Sequence, residues 1–400
     1  MTARTRTTRT RAAESIVRAQ GRVVEIAVIG RGLIGSAAAR HLARSGHAVI
    51  LIGPDEPGTM AAHQGVFASH YDEGRITRSL DPDPFWSRVS RASIARYVEI
   101  EAASGIGFYT ERGVVMAGPE GSDAMERIGQ VAARDGIACD RLDDAGLAAR
   151  FADFRFAPGT MGWHEPQHAG HISPRRLVAA QSRAAERSGA RIIKARVLAL
   201  EERGDGVTIR HEDGETRAAR VLVAAGGYTN TLLPEALPLT VMARTVAFFE
   251  VSAVEAARLA TLPPLIYLHA HGDGPYLLPP IRYPDGRFYL KMGGDPVDRP
   301  VCSGAEISDW FRSGGSADVA AFLEGEMRAR MPGLAIRGVN RAACVTTFTP
   351  EDRARIAMVT NRIGVATAGC GRGAKCSDEL GRLGAQVILG QGLPDWARAV

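Results

Sequence analysis

The run from Ile26 to Gly53, IAVIGRGLIGSAAARHLARSGHAVILIG, constrains the fold more than any other stretch of the chain. A β-rich apolar segment leads into Gly30, Gly32 and Gly35 in G-x-G-x-x-G order, an Ala- and Leu-rich helical pattern opens at Leu33 and Ile34, and a second apolar run, AVILI, follows. In such a strand-turn-helix the first glycine makes the tight turn, the second lets the backbone approach a pyrophosphate, and the third lets helix pack closely on strand. The phosphates then sit on the helix N-terminus, where unpaired N–H groups favour anions. The unit is a dinucleotide-binding βαβ. One part of the pattern is missing, because the acidic residue that usually binds the ribose at the end of the second strand is Gly53 here, which leaves Asp55 or Glu56 as substitutes. Arg31, bulky for its slot, either lies along the phosphates or points to solvent.

Four hundred residues with 45% hydrophobic content suffice for two or three domains with ample core. No apolar stretch reaches the roughly 18 residues of a spanning helix, so no membrane role is expected. The net charge of +5 is concentrated in residues 1–22, which hold six arginines against one glutamate. That Thr-rich segment has no apolar core of a secretory signal and reads as a disordered tail; the rest is near neutral, which argues against a nucleic-acid surface. Cys139, Cys302, Cys344, Cys370 and Cys376 form no metal-binding spacing and are odd in number, as expected of a reduced, cytoplasmic setting. Of 49 basic residues only Lys194, Lys291 and Lys375 are lysines, so a lysine in a glycine-rich loop stands out.

Helical patterns are expected at Phe85–Ala103, Ala124–Asp135, Asp143–Phe151, from Pro174, and at Asp318–Arg330. Strands flank an Arg112-Gly113 turn and a hairpin at Glu212 to Glu215, and a buried strand ends in Gly226-Gly227. Leu237 to Asp295 alternates as an antiparallel sheet does, and the return to βαβ-like sequence on either side implies two interleaved domains.

Several segments, in order, resemble the D-amino-acid-oxidase-like flavoproteins, in particular the group of monomeric sarcosine oxidase, N-methyltryptophan oxidase and pipecolate oxidase. They are GRGLIG (30–35), GRITR (74–78), VLVAAGGYTNTLL (221–233), YLKMGG (289–294), AACVTTFTPED (342–352) and AGCGRGAKCS (368–377). The resemblance implies an α/β fold, α+β overall, in which a Rossmann-type FAD domain (23–80, 155–235 and 340–392) is interleaved with a substrate domain (81–154 and 236–339) on a mixed, largely antiparallel sheet. It implies oxidation of a secondary or primary amine bearing a carboxylate: hydride passes to the flavin, the imine hydrolyses, and O2 returns the flavin to its oxidised state with release of H2O2. A monomer or weak oligomer is implied, with a small molecule and O2 as the only partners.

Residue roles follow from the same resemblance. Cys344 stands where this group carries a cysteine bonded to the flavin ring; the plainer reading is a small buried hydrophobe. Lys375 stands where a lysine faces the flavin and assists O2 reduction, since a fixed cation stabilises the charge developing on oxygen. Arg78 matches the arginine that holds the substrate carboxylate, through the two parallel bonds a guanidinium fork allows, and Arg75 the one beside the flavin. His70, Gly226, Gly371 and Gly373 complete the cofactor set. The chain departs from sarcosine oxidase at Tyr71, Asp295 and Thr346, where that enzyme has histidine, histidine and tyrosine. A carboxylate for a potential cation and a smaller residue over the substrate imply a larger substrate with an added polar or cationic group. His164, His168 and His171 mimic metal spacing, but Pro166 and Gly170 break any helix that would align them, so no metal is expected; His269 and His271 read as a hairpin near the pocket mouth. Open alternatives are a flavin dehydrogenase with another electron acceptor, a nicotinamide-dependent dehydrogenase, and a non-catalytic flavin-binding protein.

Overall fold

The computed structural model describes residues 23–270 and 274–398, so the expected tail (1–22) and His271 lie outside the described residues. The glycine fingerprint folds as its pattern predicts: the strand Val24–Ile29 runs through the turn into the helix Leu33–Arg44, and Val49–Ile52 returns parallel to it. The sheet grows outward from that pair. Gly214–Val223 lies parallel to Val24–Ile29 on the other side, Ile363–Thr367 parallel to Gly214–Val223, and Arg191–Ile193 parallel to Val49–Ile52. Antiparallel strands Val197–Arg203, Gly206–His211 and Arg355–Met358 complete eight. Ile26, Val28, Leu51 and Leu222 are buried on one face and Ala27, Ile29, Ile50 and Val221 on the other, as a sheet covered on two sides requires.

Small residues bring the closing helix, Gly373–Ile388, onto the first one. A Cβ at Gly381 would lie 2.6 Å from the Ala37 side chain and from the Ala38 nitrogen, so only glycine permits this approach. The buried Asp378 carboxylate joins Arg40 of the first helix to Gln181 of the helix Pro174–Arg187 and to Arg96, just before Tyr97–Ser104. That packing fixes the N-terminus of the closing helix, which carries Lys375, beside the glycine loop.

The second sheet is nine-stranded and antiparallel except where Leu265–Tyr267 runs parallel to Val114–Pro119. Its spine is Thr240–Val251, hydrogen-bonded along one edge to Gly338–Phe348 and along the other to Phe288–Gly293 and Arg299–Val301. The helix Ala317–Arg330 buries Leu323 and Met327 against Phe249 and Leu290 of this sheet. A small third sheet joins Arg75–Thr77, Gly170–Ile172 and Tyr109–Glu111.

The expected boundaries shift in two places. Thr160–Glu165, assigned to the FAD domain within 155–235, pairs with Val114–Pro119 in the second sheet; Gly338–Phe348, most of it within 340–392, pairs with Thr240–Val251. The strands on either side of Arg112-Gly113 do not pair with each other: one joins the third sheet and one the second. Phe85–Ala103 is two helices, Pro84–Ile94 and Tyr97–Ser104.

Candidate active site

A single cavity runs from the glycine loop to Cys344, between the ends of the parallel strands and the face of the second sheet. Its glycines fall into distinct geometric classes. Gly30 has φ +103°, and a Cβ there would lie 2.3 Å from the Ala224 carbonyl oxygen; a Cβ at Gly35 would lie 1.8 Å from the Gly30 oxygen. Those two are demanded by backbone packing. Gly32 faces open space, with the His70 ring as its nearest neighbour at 3.9 Å, which leaves its backbone free to approach a ligand. Leu33, Ile34 and Gly226 line the same stretch, and Gly371 and Gly373 line the wall near Cys344. Gly35 lies behind the wall, holding helix to strand.

The ring-facing end carries His70, Tyr71, Arg75, Cys344 and Thr346. The His70 imidazole is buried, and desolvation with the nearby Arg31, Arg175 and Arg75 charges brings its pKa down to about 3, so it is neutral at physiological pH. Burial pushes the Tyr71 phenol upward, leaving it protonated. An Arg75 Nη2–H points at the Cys344 sulfur, 3.5 Å away, and also donates to the Ser69 carbonyl. Thr346 lines the cavity, but its Oγ1 is buried away from solvent with no partner among the described residues. The glycine cradle at one end of the cavity and the open wall that continues to Arg75 and Cys344 at the other fit an extended dinucleotide.

Arg78 and Lys375 lie beyond this wall and meet at a residue that sequence reasoning passed over, Asp81. Its Oδ2 accepts from Lys375 Nζ at 3.1 Å and Arg78 Nη2 at 3.3 Å, and the Arg372 guanidinium lies 3.5 Å away. Asp81 has no exposed surface and Lys375 almost none, while Arg78 and Arg372 are partly buried. Burial alone would raise the Asp81 carboxyl, but Lys375, Arg78 and Arg372 hold it below its ordinary value; burial and Arg78 lower the Lys375 ammonium. The backbone after Arg78 is pinned by Glu165, whose carboxylate accepts from the Ser79 and Leu80 N–H groups at 3.0 Å. Glu165 is thus an anchor for this loop, and the neighbouring His164 and His171 sit on different strands.

A second cation cluster also went unread. Lys291, fully buried on Phe288–Gly293, donates to Asp72 Oδ2 at 2.5 Å and to the Gly74 carbonyl at 2.6 Å. Arg75 pairs with the same carboxylate, and the Tyr283 hydroxyl donates to its other oxygen at 2.7 Å. Burial and Arg75 drive the Lys291 ammonium well below its ordinary value. Tyr276 lies beside this second cluster, its ring 5.8 Å from Lys291 Nζ, and its hydroxyl occupies the space a Cβ on Gly293 would take, 2.4 Å away.

Asp295 is not on the cavity wall. Its carboxylate accepts the Thr245 N–H at 3.0 Å, and burial raises its pKa to about 6. The two substitutes considered for the ribose acid are occupied as well. Asp55 pairs with Arg31 and Lys194, and both Glu56 oxygens accept from Arg175.

Comparison with known proteins gives the same answer as the geometry. Residues 25–387 match the family model for DAO, FAD dependent oxidoreductase. The chain is 25% identical over 372 residues to the N-methyl-L-tryptophan oxidase of Citrobacter koseri, covering 92% of this chain and 95% of that protein. Among solved structures, the Tyr258Phe mutant of NikD, an amino acid oxidase essential for nikkomycin biosynthesis, superposes with a TM-score of 0.74 at 19% identity, covering 92% of this chain and 94% of that one. Glycine oxidase from Geobacillus kaustophilus gives 0.70 at 18% identity, covering 92% and 95%. With a family match spanning nearly all of the described residues and a cavity shaped for an extended dinucleotide, the chain belongs to the DAO family of FAD-dependent oxidoreductases.

Proposed function

We propose that this protein is an oxidase of a secondary or primary amine bearing a carboxylate, of the N-methyl or cyclic amino acid class, producing an imine that hydrolyses and H2O2 from O2. FAD supplies the two-electron chemistry, accepting a hydride from the carbon next to nitrogen and passing the electrons on. The observation that carries the reading is the Arg78–Lys375–Asp81 group, two cations on one carboxylate, joined to the cavity wall through Ala374, the residue before Lys375. One substrate carboxylate balances its remaining positive charge, which is why an amino acid suits the site better than a simple amine.

Arg78 offers its fork to that carboxylate, and Lys375, tied to the same Asp81, shares the load. On this reading Lys375 serves substrate binding more than O2 reduction, and Lys291, buried behind Arg75 and Cys344, is the better candidate to meet charge developing on oxygen. Thr346 contributes to the wall on the substrate side, and Tyr71 and Tyr276 close the site as protonated phenols. Cys344 would hold the flavin ring through a thioether, a bond formed with loss of the thiol proton and one C–H hydrogen, the two electrons passing to O2 as H2O2.

A second reading, a dehydrogenase that uses another acceptor, is favoured by one observation: Lys375 and Lys291 are each neutralised by a buried carboxylate, which weakens their pull on reduced oxygen. A peroxidase-coupled screen of N-methyl and cyclic amino acids tests both. H2O2 release equal to substrate consumed supports the oxidase; substrate-dependent flavin bleaching that air does not reverse, but an artificial acceptor does, supports the dehydrogenase; no bleaching by any amino acid refutes both.

A further inference from the structure

The adenosine end of the cavity lacks an acid, and its geometry shows why none can be restored. A Cβ on Gly53 would lie 2.5 Å from the Arg31 nitrogen and 2.8 Å from the Arg31 Cβ, so the strand end that usually carries the ribose-binding carboxylate has no room for a side chain. The Arg31 side chain lies over that position. Its Nε donates to the Gly53 carbonyl and Nη2 to the Pro54 carbonyl, each at 3.2 Å, and Asp55 pairs with the same edge of the guanidinium. These contacts fix the plane of the fork. Nη1 has no hydrogen-bond partner among the described residues, although Arg31 lines the cavity and its side chain is only 13% exposed. Arg196 lines the same end.

We propose that Arg31 takes the place of the acidic ribose clamp, holding the adenosine ribose of FAD by donating hydrogen bonds to its hydroxyl oxygens. This inverts the polarity of the subsite. A carboxylate accepts the ribose hydroxyl protons and repels a phosphate on the ribose; a guanidinium donates to the ribose oxygens and welcomes such a phosphate. The inference rests on FAD as the cofactor, and it concerns only the adenosine end, far from the amine chemistry.

The test uses full-length protein carrying Cys344→Ser, so that FAD is exchangeable. FAD is stripped, and its rebinding is followed by quenching of flavin fluorescence. Calorimetry then compares 5′-AMP with 2′,5′-ADP, which differ only by a phosphate on the ribose. The expected result is that 2′,5′-ADP binds at least as tightly as 5′-AMP. Arg31→Met should abolish that preference and weaken FAD by about tenfold or more, the usual effect of losing one charge-assisted hydrogen bond. Arg31→Lys should restore part of it, which separates a lost contact from a misfolded loop. Weaker binding of 2′,5′-ADP than of 5′-AMP, unchanged FAD affinity in Arg31→Met, or a preference that disappears with Arg196→Met instead overturns the proposal. Stripped protein that rebinds no FAD but remains folded by circular dichroism overturns the FAD assignment along with it.

Discussion

Asp81→Asn tests the centre of the site with the smallest change of shape. In the folded protein Asp81 is without exposed surface and its Oδ2 is shared by Lys375, Arg78 and Arg372 at 3.1, 3.3 and 3.5 Å. Arg372 has a second carboxylate partner, Asp352, at 3.0 Å, whereas Lys375 and Arg78 have no other ion-pair partner among the described residues. The amide keeps the volume and one acceptor oxygen but leaves two buried cations uncompensated. Breaking a buried ion pair from one side costs about 3–5 kcal/mol, and the surviving amide contact brings the expected loss to the lower end, about 3 kcal/mol. Equilibrium urea unfolding of FAD-saturated protein measures it as a lower midpoint at unchanged slope. Because the missing charge is a carboxylate, acetate should stabilise Asp81→Asn more than the parent protein. Substrate should do the same, and the kinetic defect should appear in kcat more than in KM. A loss under about 1 kcal/mol together with equal acetate effects on both proteins would refute the charge balance on which the substrate assignment rests.

Three further outcomes follow. Acid precipitation of the parent protein should give a yellow pellet and Cys344→Ser a white one with flavin in the supernatant; a white pellet from the parent makes Cys344 an ordinary wall residue. Gly30→Ala combines a φ of +103° with a Cβ 2.3 Å from the Ala224 oxygen, so it should yield destabilised protein without bound flavin, and normal FAD content would show that the loop relaxes freely. Asp295, raised to about 6 by burial, holds its proton to higher pH in the folded protein than in the unfolded chain, so stability should fall as pH rises through the range from about 4 to 6. Asp295→Asn should flatten that dependence in urea unfolding followed against pH, and an unchanged slope would show that the Asp295 carboxyl is not desolvated.

What the sequence made legible was local. The glycine fingerprint carried its strand, turn and helix because each step depends on neighbours within a few residues, and the alternation in Leu237 to Asp295 announced an antiparallel sheet. The helix Gly304–Ser313 was passed over although Ser303 and Glu306 spell a capping box: the Glu306 N–H donates to the Ser303 hydroxyl, and the Glu306 carboxylate accepts the Cys302 N–H. Other features had no local signal. Lys291 and Asp72 are 219 positions apart, and only the register of Phe288–Gly293 on the second sheet brings them together. The place of Thr160–Glu165 in the second sheet had no such signal either, because its partner strand lies some 45 residues earlier, beyond any pattern a single segment displays. Asp81 did leave a trace, three positions after Arg78 at a spacing that allows an ion pair, but its meaning depended on Lys375 arriving from the far end of the chain.

The most direct test of the account is an anaerobic titration of the yellow protein with N-methyl and cyclic amino acids, alongside the matching amines that lack a carboxylate, followed by admission of air. The account predicts that a carboxylate-bearing amine bleaches the flavin, that its decarboxylated counterpart does so far more slowly, and that air restores the colour with one H2O2 per flavin. Equal bleaching by amines with and without the carboxylate would contradict the role given to Arg78, Lys375 and Asp81.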